Sequence, residues 1–200
     1  MLPAVVFDIG GVLELTPPTG YRERWEKSLG LGPGELDQRM HEVWLGGTLG
    51  TLTADQVHEA FMRELSISPQ DVGRFMADFW DDYLGMPNTE LIDYFRELRT
   101  RVRTGILSNS FVGAREKERE RYGFEDMTDV LVYSHESGTA KADPAIYRLV
   151  CERLEVEPKH AVFVDDHERA VEGARAIGMT AVLFRNNAQV ISELEALLAG

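Results

Sequence analysis

The sequence predicts an α/β fold in which helices cover both faces of a doubly wound parallel β-sheet and an all-helical segment is inserted after the first strand. Three apolar runs support the sheet, since each ends in polar residues as a buried strand does at a sheet edge. They are residues 5–13 (VVFDIGGVL), 102–108 (VRTGILS) and 161–166 (AVFVDD). Helical patterns separate the runs, as right-handed crossovers between parallel strands require.

The first run reaches one carboxylate, Asp8, and passes at once into Gly10 and Gly11. A β-branched and aromatic run ended by glycines is typical of a buried strand that leads into a tight turn, which puts Asp8 at the rim of the sheet. If the three runs are neighbouring parallel strands, their polar ends converge at one carboxyl edge, where open α/β sheets bind ligands. The converging side chains would be Asp8, Ser108, Asp165 and Asp166.

The sequence predicts that residues 15–87 form an inserted helical domain. A proline-rich stretch at 16–20 (TPPTG) is expected to be a hinge or linker. Aromatic residues then recur at helical spacing, as in the core of a small bundle. Thr53 opens a capping-box pattern, and Ser68 followed by a proline indicates a helix start. Glycine-rich breaks are expected at 30–34 and 46–50.

The α/β pattern resumes at Asn88, which is expected to be the N-cap of a helix. Asp143, followed by a proline, begins a later helix. A stretch of alternating charge at 115–121 (REKERER) is interpreted as the solvated face of a helix. The remaining elements are strands at 130–134 and 180–184 and a closing helix at 190–198. We therefore divide the chain into a core domain, residues 1–14 and 88–200, and a helical domain, residues 15–87.

Composition narrows the classes of partner. With 34 acidic and 21 basic residues among 200, the chain has a formal charge of −13, which repels nucleic acid and anionic membranes. The 44% hydrophobic content suits one core with a large insertion or two small domains. The single cysteine, Cys151, excludes an internal disulfide and is expected to be a buried, inert thiol. No apolar stretch approaches the ~20 residues of a membrane span and no cationic leader precedes the first run, so a cytoplasmic protein is expected.

The residues at the predicted edge suit phosphoryl chemistry if cations accompany them. A phosphate dianion repels a carboxylate, so a site that uses Asp8 as a nucleophile needs positive charge. Asp8 and the carboxylate pair at 165–166 form a cluster of hard oxygen ligands that suits Mg²⁺. Lys141 can supply a further positive charge, and the Ser108 hydroxyl and the Asn109 backbone N–H can hydrogen-bond a phosphoryl oxygen.

Four stretches, in this order along the chain, resemble the motifs of the haloacid dehalogenase-like (HAD) superfamily. They are residues 7–13 (FDIGGVL), 106–110 (ILSNS), 138–147 (GTAKADPAIY) and 163–179 (FVDDHERAVEGARAIGM). The resemblance is to the branch of small phosphatases with a helical cap inserted after the first strand. It implies a Rossmann-like core, a cap over the substrate, and a Mg²⁺-dependent phosphatase that acts on a small phosphorylated metabolite such as a sugar phosphate.

The same resemblance implies roles for individual residues. Asp8 would be the nucleophile that forms an aspartyl-phosphate, and Ser108 and Lys141 would bind the phosphate. Asp165 would support the metal through water or orient Lys141. The implied metal ligands are Asp8, the Gly10 carbonyl and Asp166. Taken alone, Asp165 and Asp166 could instead cap the following helix.

One position departs from the family pattern. The family's phosphatases typically carry a second Asp two residues after the nucleophile, where it protonates the leaving alcohol and then activates water, but this chain has Gly10. Without that group, either step could lose the ~10²- to 10⁴-fold that general acid–base catalysis contributes. Glu14, His41 and His58 are candidates to replace it, although exposed Glu and His residues are usually only solvated.

Two other functions stay open. Gly10 favours a noncatalytic or weakly active relative that binds phosphometabolites or a protein partner. A dehalogenase also lacks the second Asp, but dehalogenases need no metal, and the retained carboxylates at 165–166 argue against that function. Turnover of an aryl phosphate with Mg²⁺ separates the first alternative from a phosphatase, and chelator-insensitive halide release would indicate the second.

Overall fold

The centre of the molecule is a five-stranded parallel sheet, so the predicted α/β fold class is confirmed. The computed structural model describes residues 4–199; residues 1–3 and Gly200, which the sequence assigns to the core, lie outside the described residues. The sheet strands are β1 Ala4–Phe7, β4 Arg103–Ser108, β5 Val130–Tyr133, β6 Ala161–Asp165 and β7 Thr180–Leu183. Their order across the sheet is β5–β4–β1–β6–β7. A separate antiparallel pair consists of β2 Glu14–Leu15 and β3 Met86–Pro87.

Helices connect the strands and form the inserted segment. The inserted helices are α1 Tyr21–Leu29, α2 Glu35–Arg39, α3 His41–Leu49, α4 Ala54–Leu65 and α5 Pro69–Leu84. The others are α6 Thr89–Leu98, α7 Ala114–Arg121, α8 Phe124–Met127, α9 Ser134–Ser137, α10 Pro144–Arg153, α11 Glu168–Ala176 and α12 Asn187–Ala199, with a 3₁₀ turn at Pro158–His160. Within residues 4–199, no helix is both long enough and apolar enough to cross a membrane.

The strand register brings three strand ends to one edge of the sheet. Phe7, the last residue of β1, lies opposite Ile106 of β4 and Val164 of β6. The residues that follow these positions therefore leave the sheet side by side. β1 is buried along its whole length, as expected for the central strand of a sheet that is covered on both faces.

Each face of the sheet packs against its own hydrophobic cluster. On one face the rings of Phe7 and Phe95 meet edge to face with centroids 4.9 Å apart. On the other face Tyr147 and Phe163 make a similar contact at 5.5 Å. Cys151 is buried in this second cluster, where burial raises the pKa of its thiol to about 11. Burial of this apolar surface is the main source of stability for the sheet.

The inserted helices have a third hydrophobic cluster, built on aromatic side chains. The ring of Phe75 lies 4.7 Å from that of Phe61 and 6.2 Å from that of Trp44. Phe111, from the loop after β4, packs into the same cluster 5.1 Å from Phe79. The loop that follows Ser108 is therefore anchored in the inserted helices.

The expected break at residues 46–50 is wrong. Helix α3 continues through Gly46 and Gly47 and ends only at Gly50. Both internal glycines allow close packing, since a Cβ would overlap the Leu52 side chain at the first and the Phe111 ring at the second. These glycines reflect helix packing rather than a turn.

Asn88 precedes α6 as predicted, but its side chain does not cap the helix. Its Nδ2 donates 2.8 Å hydrogen bonds to the Val12 carbonyl and to Asn187 Oδ1. Its backbone N–H also donates to the Leu13 carbonyl at 3.0 Å. The buried amide thus fixes the chain after β1 to the start of α6 and to α12.

Candidate active site

The candidate site lies where β1, β4 and β6 end. Asp8 follows β1, and its backbone N–H donates to the Val164 carbonyl at 2.9 Å, which fixes Asp8 beside the end of β6. Ser108 and Asp165 are the last residues of β4 and β6. All three residues are buried. The structure therefore brings these residues to one edge from distant parts of the chain.

Lys141 lies between the two carboxylates of this edge. Its Nζ is 2.6 Å from Asp8 Oδ2 and 2.6 Å from Asp165 Oδ2, and its side chain is only 5% exposed. Asn109 holds the lysine main chain at both ends: its Oδ1 accepts from the Lys141 N–H at 2.7 Å, and its Nδ2 donates to the Lys141 carbonyl at 3.1 Å. The loop after β4 thus positions the ammonium group.

The site holds more negative charge than one lysine balances. Burial raises the pKa of Asp8 to about 7; Lys141 opposes this rise, and the Asp165 carboxylate adds to it. Burial acts against the charge of Lys141, but Asp8 and Asp165 raise its pKa above the ordinary value, so it stays an ammonium. A second cation at this edge would favour the ionised form of Asp8.

Asp166 lies against the turn that follows β1. A Cβ on Gly11 would overlap the Asp166 carboxylate, so only a glycine permits this approach. Gly11 also has a φ of 73°, a left-handed conformation that glycine adopts without strain. Asp165, Asp166 and His167 offer ligand atoms that lie within 4.8 Å of one another. The turn thus places the Asp166 carboxylate against the backbone at Gly11.

The donors at this corner fit a hard divalent cation. Asp8, Gly10 and Asp166 line one cavity and supply carboxylate and carbonyl oxygens, the ligands that Mg²⁺ prefers. Both oxygens of Asp165 are engaged, one by Lys141 and the other by the His167 backbone N–H at 2.8 Å. Asp166 is more accessible than Asp165, and its Oδ1 contacts the exposed His167 ring at 2.7 Å. The donor set therefore suits Asp166 as a direct ligand.

Two cavities meet at this edge. The outer cavity, of about 560 Å³, is lined by Asp8, Gly10, Gly11, Thr16, Asn109, Lys141, Ala142, Asp165, Asp166, His167, Arg169 and Ala170. The inner cavity, of about 240 Å³, is lined by Ile9, Gly10, Glu14, Thr16, Asp82, Tyr83, Leu84, Ser108, Asn109, Glu118 and Tyr122. Another groove, of about 600 Å³, lies between α1 and α5 and contains none of the residues of the acidic edge. The candidate catalytic residues therefore line the two adjoining cavities and not this groove.

Glu14 is the only one of the three proposed replacements for the missing Asp that lines either cavity. Glu14 is 2% exposed, and its Oε2 lies 4.0 Å from the position that a Cβ on Gly10 would occupy. Burial raises the pKa of Glu14 to about 7, and hydrogen bonding from Thr16 opposes the rise. His41 is exposed and His58 is half-buried, both on inserted helices.

Sequence reasoning missed the inner cavity, and it was wrong about part of α7. Residues 115–121 were expected to form a solvated face, but Glu118 is 1% exposed and accepts a hydrogen bond from the Tyr133 hydroxyl. A signal was available: Glu118 is four residues from Ala114 and from Tyr122, on the face of the helix that packs inward. Tyr83 reaches the same cavity from α5, and no local pattern predicts that contact.

Comparison with known proteins identifies the family. A family model described as haloacid dehalogenase-like hydrolase matches residues 2–178. The chain belongs to the haloacid dehalogenase-like hydrolase family. The predicted family and the prediction of a hydrolase are therefore confirmed.

Relatives of this HAD-like hydrolase include phosphatases and longer proteins. It is 30% identical to phosphatase MT3486 of Mycobacterium tuberculosis, over 100% of this chain and 98% of that protein. It is 29% identical to bifunctional epoxide hydrolase 2 of Sus scrofa over 97% of this chain, but it spans only 38% of that protein. Its fold is similar to that of a HAD family enzyme, bt-2542 of Bacteroides thetaiotaomicron, with a TM-score of 0.78, 20% identity and coverage of 96% and 99% of the two chains.

Proposed function

We propose that this HAD-like hydrolase is a Mg²⁺-dependent phosphatase that hydrolyses a small phosphorylated metabolite, such as a sugar phosphate, through an aspartyl-phosphate on Asp8. The observation that carries the proposal is the buried lysine, Lys141, held 2.6 Å from both Asp8 and Asp165 at the edge of the sheet. A carboxylate that attacks a phosphate dianion needs this positive charge next to it.

In the proposed reaction an Asp8 carboxylate oxygen attacks phosphorus, and the bond from phosphorus to the leaving oxygen breaks. Water then attacks the aspartyl-phosphate and releases inorganic phosphate. Lys141 neutralises charge on the phosphoryl oxygens, while the Ser108 hydroxyl and the Asn109 backbone N–H donate hydrogen bonds to them. Asp165 positions Lys141.

Asp8, the Gly10 carbonyl and Asp166 would hold the cation. When bound there, Mg²⁺ would supply positive charge to the phosphoryl group and to the nucleophile. The relatives support this proposal: MT3486 is named a phosphatase, and the Bacteroides enzyme with the similar fold was crystallised with magnesium and inorganic phosphate.

Glu14 supplies the missing proton transfer in this proposal. The leaving oxygen must gain a proton, and the attacking water must lose one. Glu14 is the carboxyl group next to the space that the family's second Asp would fill, and it lines the inner cavity together with Ser108. The same carboxyl group can donate a proton in the first step and accept one in the second.

The test is hydrolysis of p-nitrophenyl phosphate with and without Mg²⁺. We expect Asp8→Asn to lower turnover by at least ~10⁴-fold, because the nucleophile is lost. The wild type should also yield a phosphoenzyme when it is quenched in acid. Asp93→Asn, at an exposed aspartate on α6 that pairs with Arg96, is the matched control and should retain turnover.

Each alternative function has a distinct outcome in the same experiment. Absence of turnover across a broad panel of phosphate esters would favour the noncatalytic relative that Gly10 suggests. Halide release from a haloacid that persists in excess chelator would indicate a dehalogenase instead.

A further inference from the structure

We propose that the inner cavity receives the leaving group of the substrate and selects a small alcohol that carries hydroxyl or amino groups and no second negative charge. The inference rests on the proposed function, since it assumes that the phosphate lies at Asp8. It adds a size and a charge for the leaving group.

The position and size of the cavity suit a leaving group. It shares Gly10, Thr16 and Asn109 with the outer cavity, and Ser108, a proposed phosphate-binding residue, lines it. Residues 82–84 at the C-terminal end of α5 also line it. Its volume of about 240 Å³ lies below the ~300–1,000 Å³ typical of pockets for drug-sized ligands, so it suits a small group.

The charge of the cavity excludes a second anion. Three carboxyl groups line it, from Glu14, Asp82 and Glu118, and none of its lining residues is Lys, Arg or His in the part of the chain that the structure describes. Two basic residues of the helix that carries Glu118 are engaged elsewhere: Arg115 pairs with Glu125 and Glu136, and Arg121 donates to the Gly85 carbonyl at 3.0 Å. A carboxylate or second phosphate on the leaving group would face these acids without compensation.

Glu118 is the acid that calls for a donor from outside the chain. Asp82 accepts from the Thr19 hydroxyl at 2.5 Å, and Glu14 accepts from the Thr16 hydroxyl at 2.9 Å. Glu118 Oε2 accepts from Tyr133, but the buried Oε1 has no hydrogen-bond partner among residues 4–199. A buried acceptor left without a donor is unfavourable, so a ligand that brings one is favoured.

Tyr83 is a second polar partner for the ligand beside Glu118. Its side chain lines the cavity, and its hydroxyl lies beside the Glu118 carboxylate. A tyrosine hydroxyl can donate one hydrogen bond and accept another. A hydroxyl or ammonium group of the leaving alcohol can therefore donate to Glu118 Oε1, and a further donor of the ligand can pair with the Tyr83 oxygen.

The test uses three phosphate esters with two-carbon leaving groups that differ in charge. They are phosphoethanolamine (cationic), 2-hydroxyethyl phosphate (neutral) and 2-phosphoglycolate (anionic). Binding is measured by calorimetry to Asp8→Asn, which does not turn them over, and kcat/KM is measured with the wild type. We expect the first two esters to bind at least ~10-fold more tightly than 2-phosphoglycolate, because only the third brings like charges together.

Adding Glu118→Gln to Asp8→Asn should reduce this preference several-fold, and adding Tyr83→Phe should reduce the affinity for the hydroxyl and amino esters. The matched control is Glu26→Gln, which alters a buried glutamate of α1 that accepts from the Leu36 N–H at 3.2 Å and lines neither cavity. That control should keep the full preference.

Two results would overturn the inference. One is binding of 2-phosphoglycolate at least as tight as that of the other esters, and the other is a preference that Glu118→Gln and Tyr83→Phe both leave intact. Failure of the proposed function is separate, since it would appear as a wild type that turns over no ester at all. Even then, the order of affinities in Asp8→Asn decides the inference.

Discussion

The two cavities that meet at Gly10 differ in whether their acidic residues are paired with a basic side chain. In the outer cavity Lys141 lies 2.6 Å from both Asp8 and Asp165, so buried charges of both signs are in contact. In the inner cavity, Glu14 and Glu118 have no basic side chain beside them among the described lining residues. The difference matches the two ends of a phosphate ester, which needs cations at the phosphoryl group and hydrogen-bond acceptors at an alcohol.

The largest effect on stability is expected when the outer cavity loses its buried lysine and, like the inner cavity, is lined by acidic residues without a lysine among the described residues. Lys141→Met leaves Asp8 and Asp165 buried without their cation. Removal of one partner from a buried ion pair typically costs ~3–5 kcal/mol, and we expect the free energy of unfolding to fall by about that amount at neutral pH. Urea unfolding measures the change.

The control for this prediction is Lys159→Met, at an exposed lysine that pairs with Glu157 on the surface. Its free energy of unfolding should change by less than ~0.5 kcal/mol. Equal stability of the two variants would show that the charges of the outer cavity are not coupled as the distances indicate.

The next effect concerns the pH dependence of the inner cavity. Burial raises the pKa of Glu118 from 4.5 to about 7, and hydrogen bonds from Tyr133 and Tyr83 and the charge of Arg115 oppose the rise. Because the folded pKa is the higher one, the folded state binds this proton more tightly. The stability that Glu118 contributes is therefore complete below about pH 4.5 and is lost as the pH rises through about 7.

Glu118→Gln removes this titration. Relative to the wild type, the variant should gain up to about 3 kcal/mol in the free energy of unfolding between pH 4.5 and pH 8. Urea unfolding of both proteins across that range measures the difference. A difference that does not vary with pH between 4.5 and 8 would mean that burial does not raise the pKa of Glu118.

Substitutions at Gly10, which lines both cavities, and at the neighbouring Glu14 are expected to have effects of intermediate size on turnover. Glu14→Gln should lower kcat for an alkyl phosphate by up to ~10²-fold, and less for p-nitrophenyl phosphate, whose leaving group needs no proton. Gly10→Asp should speed turnover, since the position of its Cβ is open and the nearest atom is Glu14 Oε2 at 4.0 Å.

The double variant tests whether the two carboxyl groups share one role. If they do, Glu14→Gln should cost little once Gly10→Asp is present, which a double-mutant cycle on kcat measures. Equal losses on both esters would assign Glu14 a structural role only. Turnover of Gly10→Asp that is unchanged or slower would count against the idea that Gly10 limits the reaction.

Sequence patterns predicted the main residues of the outer cavity, but they did not predict the inner cavity. Asp8 and Asp165 stand at the ends of apolar runs, and parallel strands bring such ends to one edge, so local patterns predicted both the sheet and these residues. Their roles came from the family resemblance. Helical spacing places Glu118 on the same face as Ala114 and Tyr122, but its contacts with Tyr83 and Tyr133, which reach it from separate elements, follow from no local pattern.

The same distinction explains the smaller errors. Gly46 and Gly47 resemble a turn in sequence, but they lie inside α3 because the Phe111 ring from another segment packs against the helix. Asn88 has the sequence of an N-cap, yet its amide bonds to Val12 and Asn187. In each case a contact between distant segments overrides a local preference.

The smallest effect tests whether Asp166 helps to bind Mg²⁺ in the outer cavity. The test compares an alanine substitution next to Asp166 with one that causes backbone strain alone. Gly11 and Gly30 have nearly the same left-handed φ, 73° and 69°, so an alanine is strained to a similar degree at both. Of the two, only Gly11 would bring the new Cβ into overlap with a side chain, the Asp166 carboxylate; at Gly30 no described residue other than the chain neighbours has an atom within 4 Å of the new Cβ. Gly11→Ala should therefore weaken Mg²⁺ binding by ~10-fold or more, as displacement of a ligand does, while Gly30→Ala should lose only stability. Calorimetric titration with Mg²⁺ measures the first effect and urea unfolding the second. If Gly11→Ala bound Mg²⁺ as tightly as Gly30→Ala does, Asp166 would not be a ligand, and the proposed metal corner would lack one of its two carboxylates.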